Sequence, residues 1–391
     1  MTIKIKPMLK VNYFNGRLSS GFVSLFSGRM FQFIGSSLVG IFLPIYLLKI
    51  FDLDIKLVLY YFLATHLFYV LFLPLGARWI NHIGLNNSLR ISVFLFAVYY
   101  LCLYLTKYDV FTFIFIALAV LTLTRTFFWM PYHTDLAIYT DKRDRGKSIS
   151  LLWATSTFLG VVMPLISGFL IGSYGYGLVF ILAITLYVCS IIPFLTLPPT
   201  HETYSWRYLE TFKHFLSKKN RKLVLANMAN GAENEVGVVI WPIFIWQLLQ
   251  GNYFAVGAIS SLIVLATIAV QLGVGKYTDI LDKRKILHWG SIIYASGWLA
   301  KVFVLSSFQI FVVGTYHSFA QIFKDTPFDT LNYELIADQG HYVDEYTVIK
   351  EIAVQSGKIM MLVFTLLVVV NFGLNWSFAL AALASLFINF L

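Results

Sequence analysis

Gly275-Lys276-Tyr277-Thr278-Asp279-Ile280-Leu281-Asp282-Lys283-Arg284-Lys285 is a short basic segment set between two long apolar stretches. Its first five residues echo Ala77-Arg78-Trp79-Ile80-Asn81, about 197 positions earlier. The echo continues on either side. Pro44 in Leu43-Pro44-Ile45 returns as Pro242 in Trp241-Pro242-Ile243, Pro131 returns as Pro327, and Gly160 as Gly357. The chain therefore reads twice, and roughly twelve apolar stretches divide into two sets of six. Long apolar repeats of this kind predict two related helical bundles that face each other across a membrane.

Composition agrees with that reading. Apolar residues make up 59% of the 391 and charged residues 12%, too few charges to solvate a soluble surface of this size. Leu57 to Leu75, Phe111 to Met130, Gly177 to Leu195 and Ile359 to Val370 are nearly charge-free, and a bilayer crossing needs about 20 such residues. The predicted spans are 20–50, 56–79, 91–106, 109–138, 148–172 and 177–197, then 223–249, 254–276, 287–305, 308–335, 346–371 and 374–391. The first twenty residues carry Lys4, Lys6, Lys10 and Arg17 without the apolar core of a signal peptide, so the first span is expected to direct insertion.

The formal charge of +10 does not point to nucleic acid, because of where the bases stand. Of 29 Lys and Arg residues, 20 lie in the N-terminal tail and alternate loops, and the other loops hold only Lys49, Lys56 and Lys107. That asymmetry predicts a multi-pass protein of the cytoplasmic membrane with both termini inside. Cys102 and Cys189 sit in apolar helices and read as packing residues. Gly146-Lys147-Ser148 resembles the end of a phosphate-binding loop, but Asp141 stands where that loop needs glycine. No metal-ligand or nucleophile pattern appears, so an enzyme, a metal and a cofactor are not expected.

Twelve spans as six plus six, the long polar connection from Pro198 to Lys222, and the repeated segment after spans 2 and 8 resemble the major facilitator superfamily. The expected organisation is an all-α integral membrane protein with two pseudo-symmetric six-helix bundles. These occupy 1–197 and 223–391, joined by a cytoplasmic linker at 198–222 with a short interfacial helix. The family's loop motif is Gly-x-x-x-Asp-Arg-x-Gly-Arg-Lys. Gly275, Asp279, Lys283 and Arg284 match it, whereas Asn81 replaces the acid of the first copy. The resemblance gives this segment the role of a latch between the halves. In span 5, Gly160, Pro164 and Gly168 match three of five positions of the family's antiporter signature. Small residues at such spacing serve helix packing equally well.

Depth arithmetic supplies the site. A helix rises about 1.5 Å per residue, so ten to thirteen residues reach the bilayer midplane. Arg29, Arg125, Glu233, Glu235, Lys324, Asp325 and Lys358 all fall at that depth. A charge facing hydrocarbon costs at least about 2.5 kcal/mol, so these groups are expected to face a cavity or one another. By resemblance, spans 1, 4, 7 and 10 line that cavity. The candidate substrate-binding residues are Arg29, Gln32, Arg125, Trp129, His133, Trp153, Asn230, Asn234, Trp241, Gln321, Lys324, Gln355 and Lys358. The candidate proton-coupling acids are Glu233, Glu235 and Asp325, because burial favours the neutral acid while a neighbouring base favours the carboxylate. Lys301 is expected to snorkel outward, and His66 stays open between a structural hydrogen bond and a site role. The expected function is secondary transport of a small organic solute by a monomer, proton-coupled, with antiport or efflux favoured. A lipid or lysolipid flippase and a non-transporting receptor or scaffold are the alternatives.

Overall fold

The computed structural model describes residues 18–140, 145–200, 203–274, 282–337 and 343–390, and among these residues every regular element is helical. Six long rods precede the linker: span 1 Ser20–Ile50, span 2 Ile55–Ile83, span 3 Leu85–Leu105, span 4 Val110–Tyr139, span 5 Arg145–Tyr174 and span 6 Tyr176–Leu195. A short linker helix, Tyr208–Phe215, follows. Six more rods complete the fold: span 7 (221–248), span 8 Tyr253–Val274, span 9 Lys283–Val302, span 10 Ser307–Ala337, span 11 Val343–Phe372 and span 12 Leu374–Phe390. Eight of the rods have the length and apolarity to cross a membrane on composition alone. Spans 7, 9 and 10 carry ionisable residues instead, and span 12 is shorter. Large side chains such as Phe115, Phe158, Ile192 and Leu367 are exposed on the outside of the bundle, the reverse of a soluble protein and the pattern of a lipid-facing belt.

The repeat seen in the sequence is built into the backbone. Span 1 tightens into a 3-10 turn at Gly40–Phe42 just before Pro44, and span 7 widens into a π turn at Val236–Ile240 just before Pro242. Proline cannot donate to the preceding turn and crowds the carbonyl four residues back, so both helices rewind there. The turns repeat as well. Asp52 and Leu53 take positive φ of 52° and 66° after span 1, and Gln250 and Gly251 take 53° and 81° after span 7.

Ala77–Asn81 is not a loop. Span 2 runs on through it to Ile83 and reverses at Gly84, φ +84°, so that span 3 begins at Leu85 rather than near 91. Nothing in Ala77–Asn81 breaks a helix, and Gly84 alone supplies the left-handed turn.

Across the halves, span 2 packs on span 11 and span 5 on span 8, each pair being the other's counterpart in the repeat. The span 5–span 8 crossing is glycine-bound. A Cβ on Gly168 would stand 2.5 Å from the Tyr253 carbonyl oxygen, and one on Gly257 would stand 2.2 Å from that of Pro164. The halves meet at both ends. At the linker end, Tyr69, Leu73 and Ile80 of span 2 share one buried cluster with Ile349 and Ile352 of span 11. At the far end, Tyr253 of span 8 packs against Phe42 and Tyr176, with ring centroids 6.2 and 5.6 Å away. The halves thus touch above and below a polar interior.

Candidate site at the seam between the halves

The second half holds the densest charge cluster. Glu233, within one turn of the start of the π turn of span 7, has both oxygens occupied: Lys324 Nζ lies 2.6 Å from Oε1, and the Tyr294 hydroxyl donates to Oε2 at 2.7 Å. Lys324 also reaches Asp325 Oδ1 at 2.6 Å and donates to Asn230 Oδ1 at 3.0 Å. Glu233 and Lys324 are each 1% exposed, whereas the Asp325 side chain is 39% exposed and forms the open edge of the cluster. Asn234, one turn beyond Asn230 on the same face, is exposed, and Gln321, one turn before Lys324, is partly exposed. Beneath Tyr294, His317 stacks at 4.2 Å and also meets the Trp298 ring at 4.3 Å.

Lys301 does not snorkel. It is buried, its ammonium 3.9 Å from the Trp298 ring centroid and 4.3 Å from that of Trp241, where cation–π attraction replaces water. The span-9 face that carries Tyr294 and Trp298 turns inward, and Lys301 follows it one turn on.

Glu235 ties the halves together. Its Oε1 lies 2.9 Å from His66 Nε2 of span 2, and its Oε2 lies 3.1 Å from Lys358 Nζ of span 11. His66 Nδ1 is 2.6 Å from Gln355 Oε1 and 3.5 Å from Arg125 Nη1. Both ring nitrogens thus face oxygens. A doubly protonated ring satisfies that geometry with two N–H donors, and a neutral ring satisfies it once the Gln355 amide is turned over. His66, the centre of this bridge, is the residue that sequence reasoning left undecided. Its one signal was an ionisable side chain in the middle of an apolar span.

The first half contributes a different surface. The Arg29 guanidinium sits 5.7, 5.3, 5.4 and 5.5 Å from the ring centroids of Phe33, Phe128, Trp129 and Tyr132. Trp129 in turn stacks on His133 at 5.6 Å. Arg125 stands one turn from Trp129 on the same face of span 4. Gln32 lies on the face of span 1 that packs on span 6, between Gly28 and Gly35. It is wholly buried, with neither amide atom hydrogen-bonded. Trp241 packs on Phe244 and Phe378. Trp153 belongs to span 5, and its side chain lies outside the described residues.

A strap closes the linker end. The Asn81 side chain donates from Nδ2 to the Tyr204 carbonyl at 2.8 Å and accepts from the Tyr204 N–H at 2.9 Å. The next residue, Ser205, donates from both N and Oγ to Glu345 Oε1 of span 11, at 2.9 and 2.6 Å. The neutral Asn81 holds no ion pair; its amide holds the linker, and the linker holds the other half. Burial pushes the Tyr204 phenol up, with the Thr211 hydroxyl offsetting part of the shift. Of the remaining latch candidates, Lys283 and Arg284 are exposed at the start of span 9, where Asp282 caps the helix through the Arg284 N–H at 2.9 Å. Gly275 and Asp279 lie outside the described residues. Gly160 faces open space, while Gly168 and Pro164 form the span 5–span 8 crossing.

The model of the Major Facilitator Superfamily matches residues 25–222, just over half of the chain. An uncharacterised protein of Bacillus subtilis (strain 168), YqgE, is 22% identical over 349 residues, covering 86% of this chain and 80% of that protein. Among solved structures, a peptide transporter POT in complex with sulfate superposes with a TM-score of 0.71 over 95% of this chain and 93% of its own, at 11% identity. That likeness is one of fold.

Proposed function

The chain belongs to the Major Facilitator Superfamily, a multi-pass membrane transporter rather than an enzyme, and on that premise we propose proton-coupled alternating access around the Glu235 seam. The transported species is a small organic solute, bound between the aromatic and cationic face of spans 1 and 4 and the polar face of spans 7 and 10. The observation that carries this reading is the bridge itself. Glu235 shares its carboxylate between His66 of one half and Lys358 of its own half. When the halves rock apart on the linker side, His66 and Glu235 separate, and the carboxylate loses one of its two partners. A group whose partners change with conformation binds protons differently in the two states, and this difference is the linkage that coupling requires. Glu233 keeps its partners within one half and acts as the structural anchor beside it, with Asp325 as the solvent-facing acid.

Orientation follows from charge. Arg78, Arg90, Arg207, Lys213 and Lys283 to Lys285 gather at the linker end, which supports a cytoplasmic linker in the cytoplasmic membrane. Export in exchange for protons is the direction favoured, since entry of a proton from outside and release of solute outward use the same bridge in turn.

The reading is tested at Asn234, exposed at midplane depth beside both acids. In a background without Cys102 and Cys189, Asn234→Cys in sealed oriented vesicles should react with an impermeant maleimide added from either side. Reaction from one side only, at every pH between 5 and 8, would reduce the protein to a receptor or scaffold that does not alternate.

A further inference from the structure

The acids of the seam stand in one half, and the inference drawn from this rests on the site just described. Glu233, Glu235 and Asp325 all belong to the second half, and each is held by Lys324, Lys358 or His66. Arg29 and Arg125 belong to the first half. Among the described residues neither has a carboxylate within ion-pair distance. Arg125 meets only His66 Nδ1, at 3.5 Å, a nitrogen that already lies 2.6 Å from Gln355. Among the described residues Arg29 meets ring faces.

Ring faces are an incomplete partner for guanidinium. They attract the charge by about 0.5–2 kcal/mol but accept none of its five N–H donors in the plane of the fork. What those donors fit is an oxyanion, which takes two parallel N–H bonds from each fork. Arg29 lies over Trp129, and Arg125 stands one turn before Trp129 on the same face of span 4. His133 stacks on the same Trp129.

We propose that the solute is an organic oxyanion, its carboxylate or phosphate held between Arg29 and Arg125. Its apolar body lies against Trp129, Tyr132 and Phe33. The second half offers Asn230, Asn234 and the open edge of Asp325 to the rest of the molecule.

The test uses four probes built on one phenyl ring: phenylacetate, phenyl phosphate, phenylacetamide and phenethylammonium. Melting of the purified full chain in detergent is followed against each. The carboxylate, the phosphate or both should raise the melting temperature with dose, while the amide and the ammonium leave it unchanged; which anion does so separates the two oxyanion chemistries. In Arg125→Gln and Arg29→Gln the apparent dissociation constant for that anion should rise at least tenfold. Arg125→Lys, which keeps the charge and loses the fork, should fall between. Equal stabilisation by the amide or the ammonium, undiminished stabilisation in both glutamine variants, or no shift with either anion would overturn the assignment. A chain that alternates at Asn234 but binds no anion loses only the substrate class, and one that binds the anion without alternating loses the transport reading.

Discussion

At the scale of single residues, the account turns on Glu233 and Lys324, both sealed from solvent and 2.6 Å apart. Breaking a buried ion pair from one side strands the other charge, at about 3–5 kcal/mol, whereas removing both charges is far cheaper. Lys324→Met should therefore destabilise the protein by about 3–5 kcal/mol. Lys324→Met combined with Glu233→Gln should cost less than the sum of the two singles. Unfolding titrations in a denaturing detergent read the cycle, and additive costs would show that the pair is not coupled. That ionisable residues interrupt the apolar spans was legible in the sequence. Their pairing was not. Depth says how far along a helix a group lies but not which way it faces, so Lys301 was expected at the surface and proved to be boxed by Trp241 and Trp298. For the same reason His66, in the middle of its span, gave no hint that it reaches across to Glu235.

At the scale of elements, repeated residues became repeated geometry. Pro44 and Pro242 each force a rewound turn, and the left-handed pairs at 52–53 and 250–251 close matching corners. Leu53 carries strain where its counterpart is Gly251. The span-5 signature separates into two parts. Gly168 sits against backbone of span 8, with no room for a side chain, while Gly160 faces open space. Gly168→Val should push the two spans apart and lower the melting temperature by several degrees, and Gly160→Ala should be neutral or slightly stabilising, since it removes a helical glycine. A large loss from Gly160→Ala with a neutral Gly168→Val would reverse that division. Sequence pattern alone could not make this distinction, because both glycines lie on similar helical spacing and only the neighbour across the seam separates them. The segment Ala77–Asn81 likewise read as a loop by analogy with its repeat, yet it holds no breaker and stays helical as far as Gly84.

At the scale of the whole molecule, two halves close on each other at both ends around a polar seam, with the Asn81–Tyr204 and Ser205–Glu345 strap across one end. The six-plus-six plan and the membrane setting were readable from the repeat and the charge asymmetry. The closed state was not, because identical spans serve every state of a rocking protein and only side-chain partners differ among them. The most direct measurement is the distance across each end by spin-label pairs, one joining exposed positions near Leu53 and Phe254 and the other joining Trp79 and Trp289. Distances would be recorded at pH 5 and pH 8 in the native chain and in Glu235→Gln. The account predicts that one distance lengthens as the other shortens when pH changes, and that Glu235→Gln abolishes the response. Distances that stay fixed across pH, or a response unchanged in Glu235→Gln, would contradict it.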